Sequence, residues 1–129
     1  MPPASSDGST VPQQPVLALA GDVPTLDLLE AALALVPGVQ VIGSLQGRLG
    51  LDLARAHHPQ LILLALDLPD LPGLQVLQQL RLDARTQTIP VITHGDAASQ
   101  GLRLAGTAGH LALPTEIAQL APLVSALLT

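Results

Sequence analysis

The chain predicts an α/β fold, a doubly wound parallel sheet with helices on both faces. Two observations carry this. Short apolar runs alternate five times with longer amphipathic stretches, which is the order in which βα units are laid down. The run Leu61 to Leu66 is apolar at every position, as a central parallel strand covered on both faces must be.

Met1 to Pro15 is rich in Pro, Ser, Gly and Gln and has no apolar period. It is expected to be a disordered tail, with a single domain over residues 16–129. Val16 to Ala20 is the first strand. Thr25 to Val36 follows as a helix with Leu26, Leu29 and Leu33 on one face, stopped by Pro37-Gly38. Val39 to Ile42 is the second strand, and Gly47 to His57 a weaker helix that carries Gly50. After the third strand, Gly73 to Leu82 is a helix with Leu74, Leu77 and Leu80 or Arg81 spaced along it. Ile89 to Thr93 is a fourth strand, opened by Pro90. Ala97 to Leu104 is a short helix, Gly109 to Ala112 a short strand, and Glu116 to Leu128 the last helix. Pro122 lies inside that helix, where its ring and missing donor are expected to bend the axis.

Composition narrows the function. There is no Phe, Tyr, Trp or Cys, so the core is aliphatic, and disulfides, thiolate metal sites and thiol catalysis are excluded. The five basic residues are all Arg and the net charge is -5, which leaves no basic patch for direct contact with nucleic acid. No apolar run is long enough to span a bilayer, and the N-terminus lacks the pattern of a signal peptide. A cytoplasmic protein is the expectation. No G-x-G-x-x-G follows the first strand and no Gly-rich loop ends in Lys-Ser/Thr, so nucleotide binding has no support.

The stretch Leu61 to Leu74, LILLALDLPDLPGL, resembles the central segment of a response-regulator receiver (CheY-like) domain. Pro59 to Leu64, Gly73 to Leu77, Ile89 to Ile92 and Gly109 to Pro114 are similar to other pieces of that family, in the same order. Asp22 lies 43 residues before Ala65 and Gly95 lies 30 after it, close to the family's spacing. The resemblance covers Val16 to Leu128. It implies a flavodoxin-like (βα)5 sheet with strand order 2-1-3-4-5, a choice that periodicity alone does not make. It also implies a shortened fourth helix region, because Gly95 to Leu113 is about four residues short, about one helical turn.

In that family, two acids after the first strand and an aspartate ending the third hold magnesium, and the aspartate takes the phosphoryl group. A Thr or Ser after the fourth strand binds a phosphoryl oxygen, and a lysine after the fifth neutralises it. Carried over, the degenerate phosphorylation-site positions are Gly21, Asp22, Ala65, Gly95 and Leu113. Only Asp22 keeps its acid. An alanine methyl is neither nucleophile, base nor ligand. The resemblance therefore implies a pseudo-receiver: not an enzyme, with no catalytic residue and no cofactor, working in two-component signalling by phosphorylation-independent contact. The alternative is a divalent-metal-dependent phosphoacceptor or small-ligand binder using Asp22, Asp67 and His94. Asp67 keeps the face of residue 65 if the strand continues, about 6–7 Å further along. Asp22, Asp67, His94 and Asp96 all fall at the carboxyl edge, and mixed imidazole and carboxylate donors suit zinc or manganese. Their plainer role is as polar rim residues facing water.

Two further histidine sites have bland and sharp readings. His57-His58 precedes Pro59 at the opposite edge and is expected to be a solvated helix end. His110 stands where the family often has an aromatic switch residue; it is either a pH-responsive group or a packed strand-edge ring.

Without chemistry, function is expected at the surface. In the last helix Ile117, Leu120, Val124 and Leu127 form a core stripe, and Leu123 and Leu128 widen it. Leu102 and Leu104 cannot readily both face the core. With His110, these extra leucines are the interface candidates, since a contiguous apolar patch marks a protein contact, although scattered exposed leucines are also normal. The resemblance implies a homodimer or another protein partner on the face of the fourth helix, fifth strand and fifth helix, with no membrane. Leu113-Pro114 replaces the family's Lys-Pro, a bond that is often cis there and that any X–Pro sequence admits as cis.

Overall fold

The computed structural model describes residues 14–99, 101–102 and 104–128. The tail expected over residues 1–15 lies outside them except for Gln14 and Pro15, which already belong to the first strand. Five strands, β1 (Gln14–Leu19), β2 (Val39–Ser44), β3 (Leu61–Ala65), β4 (Val91–Gly95) and β5 (Gly109–Ala112), pair in parallel in the order β2-β1-β3-β4-β5. This is the flavodoxin-like order. Among the described residues, α1 (Val23–Leu33), α2 (Gly47–His57) and α3 (Gly73–Leu82) join the first four strands, and α4 (Leu120–Leu128) follows β5.

Side chains alternate between the sheet faces, so each strand feeds two cores. Val16, Ala18, Leu61, Leu63, Ile92 and Leu111 pack with Leu29, Leu33, Leu120 and Val124 under α1 and α4. Leu17, Leu19, Ile62, Leu64 and Val91 pack with Leu51, Val76, Leu77 and Leu80 under α2 and α3. Every residue of β3 is buried, which accounts for its unbroken apolar run. No helix among the described residues is long and apolar enough to cross a membrane.

Helices α2 and α3 have the expected bounds; others moved for identifiable reasons. Helix α1 starts at Val23 rather than Thr25, because Asp22 is its N-cap and Pro24 suits its first turn. In α3, Val76 enters the core while Leu74 is 50% exposed, so the buried stripe runs Gly73, Val76, Leu77, Leu80. Strand β4 starts after Pro90, which has no N–H to offer the ladder, and runs on through His94 and Gly95. These two residues are therefore strand, not loop.

Of the helix expected over Ala97 to Leu104, the described residues form one 3-10 turn, Ala97–Ser99, and positions 100 and 103 lie outside them. Asp96 starts that turn by accepting from Ala98 N through its side chain and from Ser99 N through its carbonyl. Gly101, at φ 83°, ends it. The connection that follows is tied down by Arg81, whose guanidinium donates to the carbonyls of Gln87, Ile89 and Gly106. The last helix is likewise split, with a 3-10 turn over Ile117–Gln119 before α4. Pro122 then falls in the first turn of α4, where no intrahelical bond needs its missing N–H, so the expected bend is not required. The 3-10 turn advances three residues per turn and shifts the stripe: Leu120 and Val124 are buried, Leu128 packs against the core, and Leu127 is 36% exposed.

Candidate functional site

A cleft of about 330 Å³ opens at the carboxyl edge of β1, β3, β4 and β5. All the edge positions expected from sequence meet there: Gly21, Asp22, Ala65, Asp67, His94, Gly95, Asp96 and Leu113 line it, together with Leu28 and Pro114. The Leu113–Pro114 peptide is cis.

Asp22 serves α1 before it serves the cleft. Its Oδ1 accepts from Thr25 N at 2.8 Å, and the Thr25 hydroxyl and amide together hold its pKa below the usual carboxylate range. Gly21 is needed for a different reason: a Cβ there would overlap the Asp67 carbonyl oxygen. The main chain of the β3–α3 loop thus occupies the place of any side chain at residue 21. That loop is closed by a bridge between Asp67 and Pro72 and by Gly73 N donating to Leu66 O at 2.9 Å. It is also anchored to α2, because the Asp70 carboxylate accepts from Gly47 N and Arg48 N at 2.7 and 3.0 Å. Those two amides, Arg48's first, hold Asp70 below its ordinary pKa. This cap comes from 23 residues away, and sequence spacing carries no signal for it.

His94 departs most from expectation. It is 3% exposed, and its Nε2 reaches Leu19 O at 2.9 Å. Leu19 is on β1 and His94 on β4, with β3 between them, so the imidazole crosses the end of β3, where Ala65 is its register partner. A larger residue at 65 would compete for that space. Burial pushes the His94 pKa down to about 4. His94 is therefore not a rim ligand facing water. Among the described residues, no three His, Cys, Asp or Glu side chains converge to hold a metal ion. Magnesium takes near-octahedral oxygen coordination, to which Gly21 and Ala65 in the cleft lining offer no side-chain oxygen.

Next to the cleft runs a chain of hydrogen bonds that sequence reading missed. Thr93 Oγ1 meets His110 Nδ1 at 2.8 Å, His110 Nε2 meets Ser99 Oγ at 2.8 Å, and Ser99 Oγ donates to Asp96 O at 2.6 Å. A Cβ on Gly95 would stand 2.8 Å from Ser99 Oγ, so Ser99 takes the space beside that glycine. Half-burial lowers the His110 pKa, with Glu116 opposing. Of the other interface candidates, Leu102 and Leu104 are half-buried. Leu123 and Leu128 pack in part against the core, and Leu123 lies close over Gly109. His57 and His58 are exposed at the far end of α2, His58 in the left-handed region at φ 47°.

Similarity to known proteins decides the family. The chain is 36% identical over 95 residues to the polar-differentiation response regulator DivK of Brucella ovis, a match covering 70% of this chain and 73% of that protein. It belongs to the CheY-like response-regulator receiver family. Among solved structures, the receiver domain of the sensor histidine kinase PA1611 from Pseudomonas aeruginosa is 27% identical, with a TM-score of 0.75 over 88% of this chain and 96% of that one. The chemotaxis response regulator CheY4 of Vibrio cholerae, at 17% identity, shares the fold with a TM-score of 0.76 over 89% and 98% of the two chains. No family model matches the chain. Membership supports a signalling or regulatory role.

Proposed function

We propose that this receiver signals without phosphoryl transfer, through contacts of its surface. The observation that carries the reading is the end of β3. Ala65 offers no nucleophile, the imidazole of His94 crosses above it, and the Asp67 carbonyl fills the place of a side chain at Gly21. Leu113, just after β5, supplies no cation, and no Arg lines the cleft. Incubation with acetyl phosphate and magnesium, followed by intact mass, is expected to show no added phosphate, and Ala65→Asp is expected not to restore it. An adduct on Asp67 would overturn this reading.

The contact surface proposed is the face of the 3-10 turn Ala97–Ser99, β5 and α4, with Leu102, Leu104, His110, Leu123 and Leu128 as its candidate residues. Leu127 is an exposed large apolar residue of that helix. Light scattering across a wide range of protein concentration is expected to show a dimer that Leu127→Glu converts to monomer. A monomer at every concentration would turn the reading to a different protein partner.

A second reading is favoured by a specific observation: the cleft takes a ligand. The PA1611 receiver has a magnesium ion coordinated in its active-site cleft. The cleft here keeps two exposed carboxylates, Asp22 and Asp67, beside His94. Its volume, about 330 Å³, lies within the range of small-molecule sites.

A further inference from the structure

We propose that the cleft binds a primary ammonium group carried on an aliphatic stem. The proposal rests on the second reading above, that the cleft takes a ligand, and says which chemistry that ligand has.

Three independent features point the same way. The walls are carbon: Pro24, Leu28, Ala65, Leu113 and Pro114 line the cleft. The charged groups lining it are all carboxylates, Asp22, Asp67 and Asp96, and no Arg is among them. An anion would meet uncompensated repulsion there, while an organic cation would meet both its charge and its stem. The third feature is His94. A backbone carbonyl only accepts, so the contact with Leu19 O requires the proton on Nε2. In the neutral ring, Nδ1 is then a bare acceptor. It has no partner among the described residues, and the side chain is 3% exposed. A buried acceptor without a donor is costly, and a ligand with N–H groups relieves it. The ammonium has three donors, one for Nδ1 and one for the Asp67 carboxylate, while Asp22 and Asp96 add negative charge at the cleft.

A hard divalent ion lacks the donor set, as argued above. A quaternary ammonium has the charge but no hydrogen to give. The chain contains no Lys, so a second copy has no lysine side chain to offer. The group comes from a free amine or from a lysine on a different protein.

The test is a ¹H–¹⁵N NMR titration of the full chain with n-butylammonium, with butyrate, butyltrimethylammonium, magnesium and inorganic phosphate as parallel arms. Saturable shifts at Gly21, Asp22 and Gly95, with a change at His94 Nδ1, are expected for n-butylammonium. Butyltrimethylammonium is expected to bind about tenfold more weakly, and Asp67→Asn to weaken n-butylammonium about tenfold, the loss of one charge-assisted hydrogen bond. Equal binding of the quaternary ion or of butyrate would overturn the proposal. Saturable binding of magnesium or phosphate, with none of the amine, would overturn it too, yet keep the cleft as a ligand site. No response in any arm would remove both. Cadaverine and a blocked lysine amide then separate the two sources, tighter binding of the first supporting a free amine and of the second a partner's lysine.

Discussion

Gly73→Ala is expected to destabilise the domain by about 3 kcal/mol, the upper end for overpacking, because the atoms it meets cannot move aside. On helix propensity alone, alanine at the start of α3 would be favourable. Packing reverses the sign. A Cβ at residue 73 would overlap the Ala65 carbonyl oxygen and stand 2.7 Å from Leu66 Cα. Both are backbone atoms of the central strand and its exit, and Leu66 is itself held by His94 O at 2.9 Å. The strand end, the loop and α3 would have to separate together. Gly101 is the control: it needs φ 83°, but nothing lies within 4 Å of a Cβ there, so Gly101→Ala is expected to lose only about 1 kcal/mol of conformational strain. Urea unfolding of the two variants decides it. A loss at Gly73 no larger than at Gly101 would mean that the close approach is not what holds the strand end.

Acid is expected to weaken the fold between pH 6.5 and 4 through His94. Above the unfolded pKa, near 6.5, the imidazole is neutral in both states, and stability is full. As pH falls, the unfolded chain takes up a proton first, while burial keeps the folded ring neutral down to about 4. Stability is therefore lost across that window and levels off below it. The gap corresponds to about 3 kcal/mol. His110, also lowered by burial, adds in the same direction. The hydrogen-bonded carboxylates Asp22 and Asp70 are lowered below 3.8, so their contribution is lost only at more acidic pH. Urea unfolding of the wild type and of His94→Gln, which keeps a donor for Leu19 O but does not titrate, at pH 7.5 and 4.5 tests this. The variant is expected to be less stable at pH 7.5 yet to lose much less on acidification. Equal acid losses would place the pH dependence elsewhere.

What sequence determined here is the frame. Apolar period and turn residues placed five strands and located α2 and α3 to the residue, because burial of one face leaves its mark at local spacing. The family resemblance carried by the motifs around Ala65 implied the strand order and the edge residues that line one cleft. The Asp22 cap, whose donor and acceptor lie three residues apart, was legible in principle, although Asp22 was expected only as an edge acid. Contacts made across the fold were not. That Asp70 caps α2, that Asp67 backs onto Gly21 and that His94 reaches over Ala65 to Leu19 are decided by which strands lie side by side. The same holds for the final segment: its leucines fit a continuous helix, but a 3-10 turn shifts the register and exchanges Leu127 for Leu128 at the core. Periodicity records how each element is buried; which groups face each other across elements is known only once the sheet has closed.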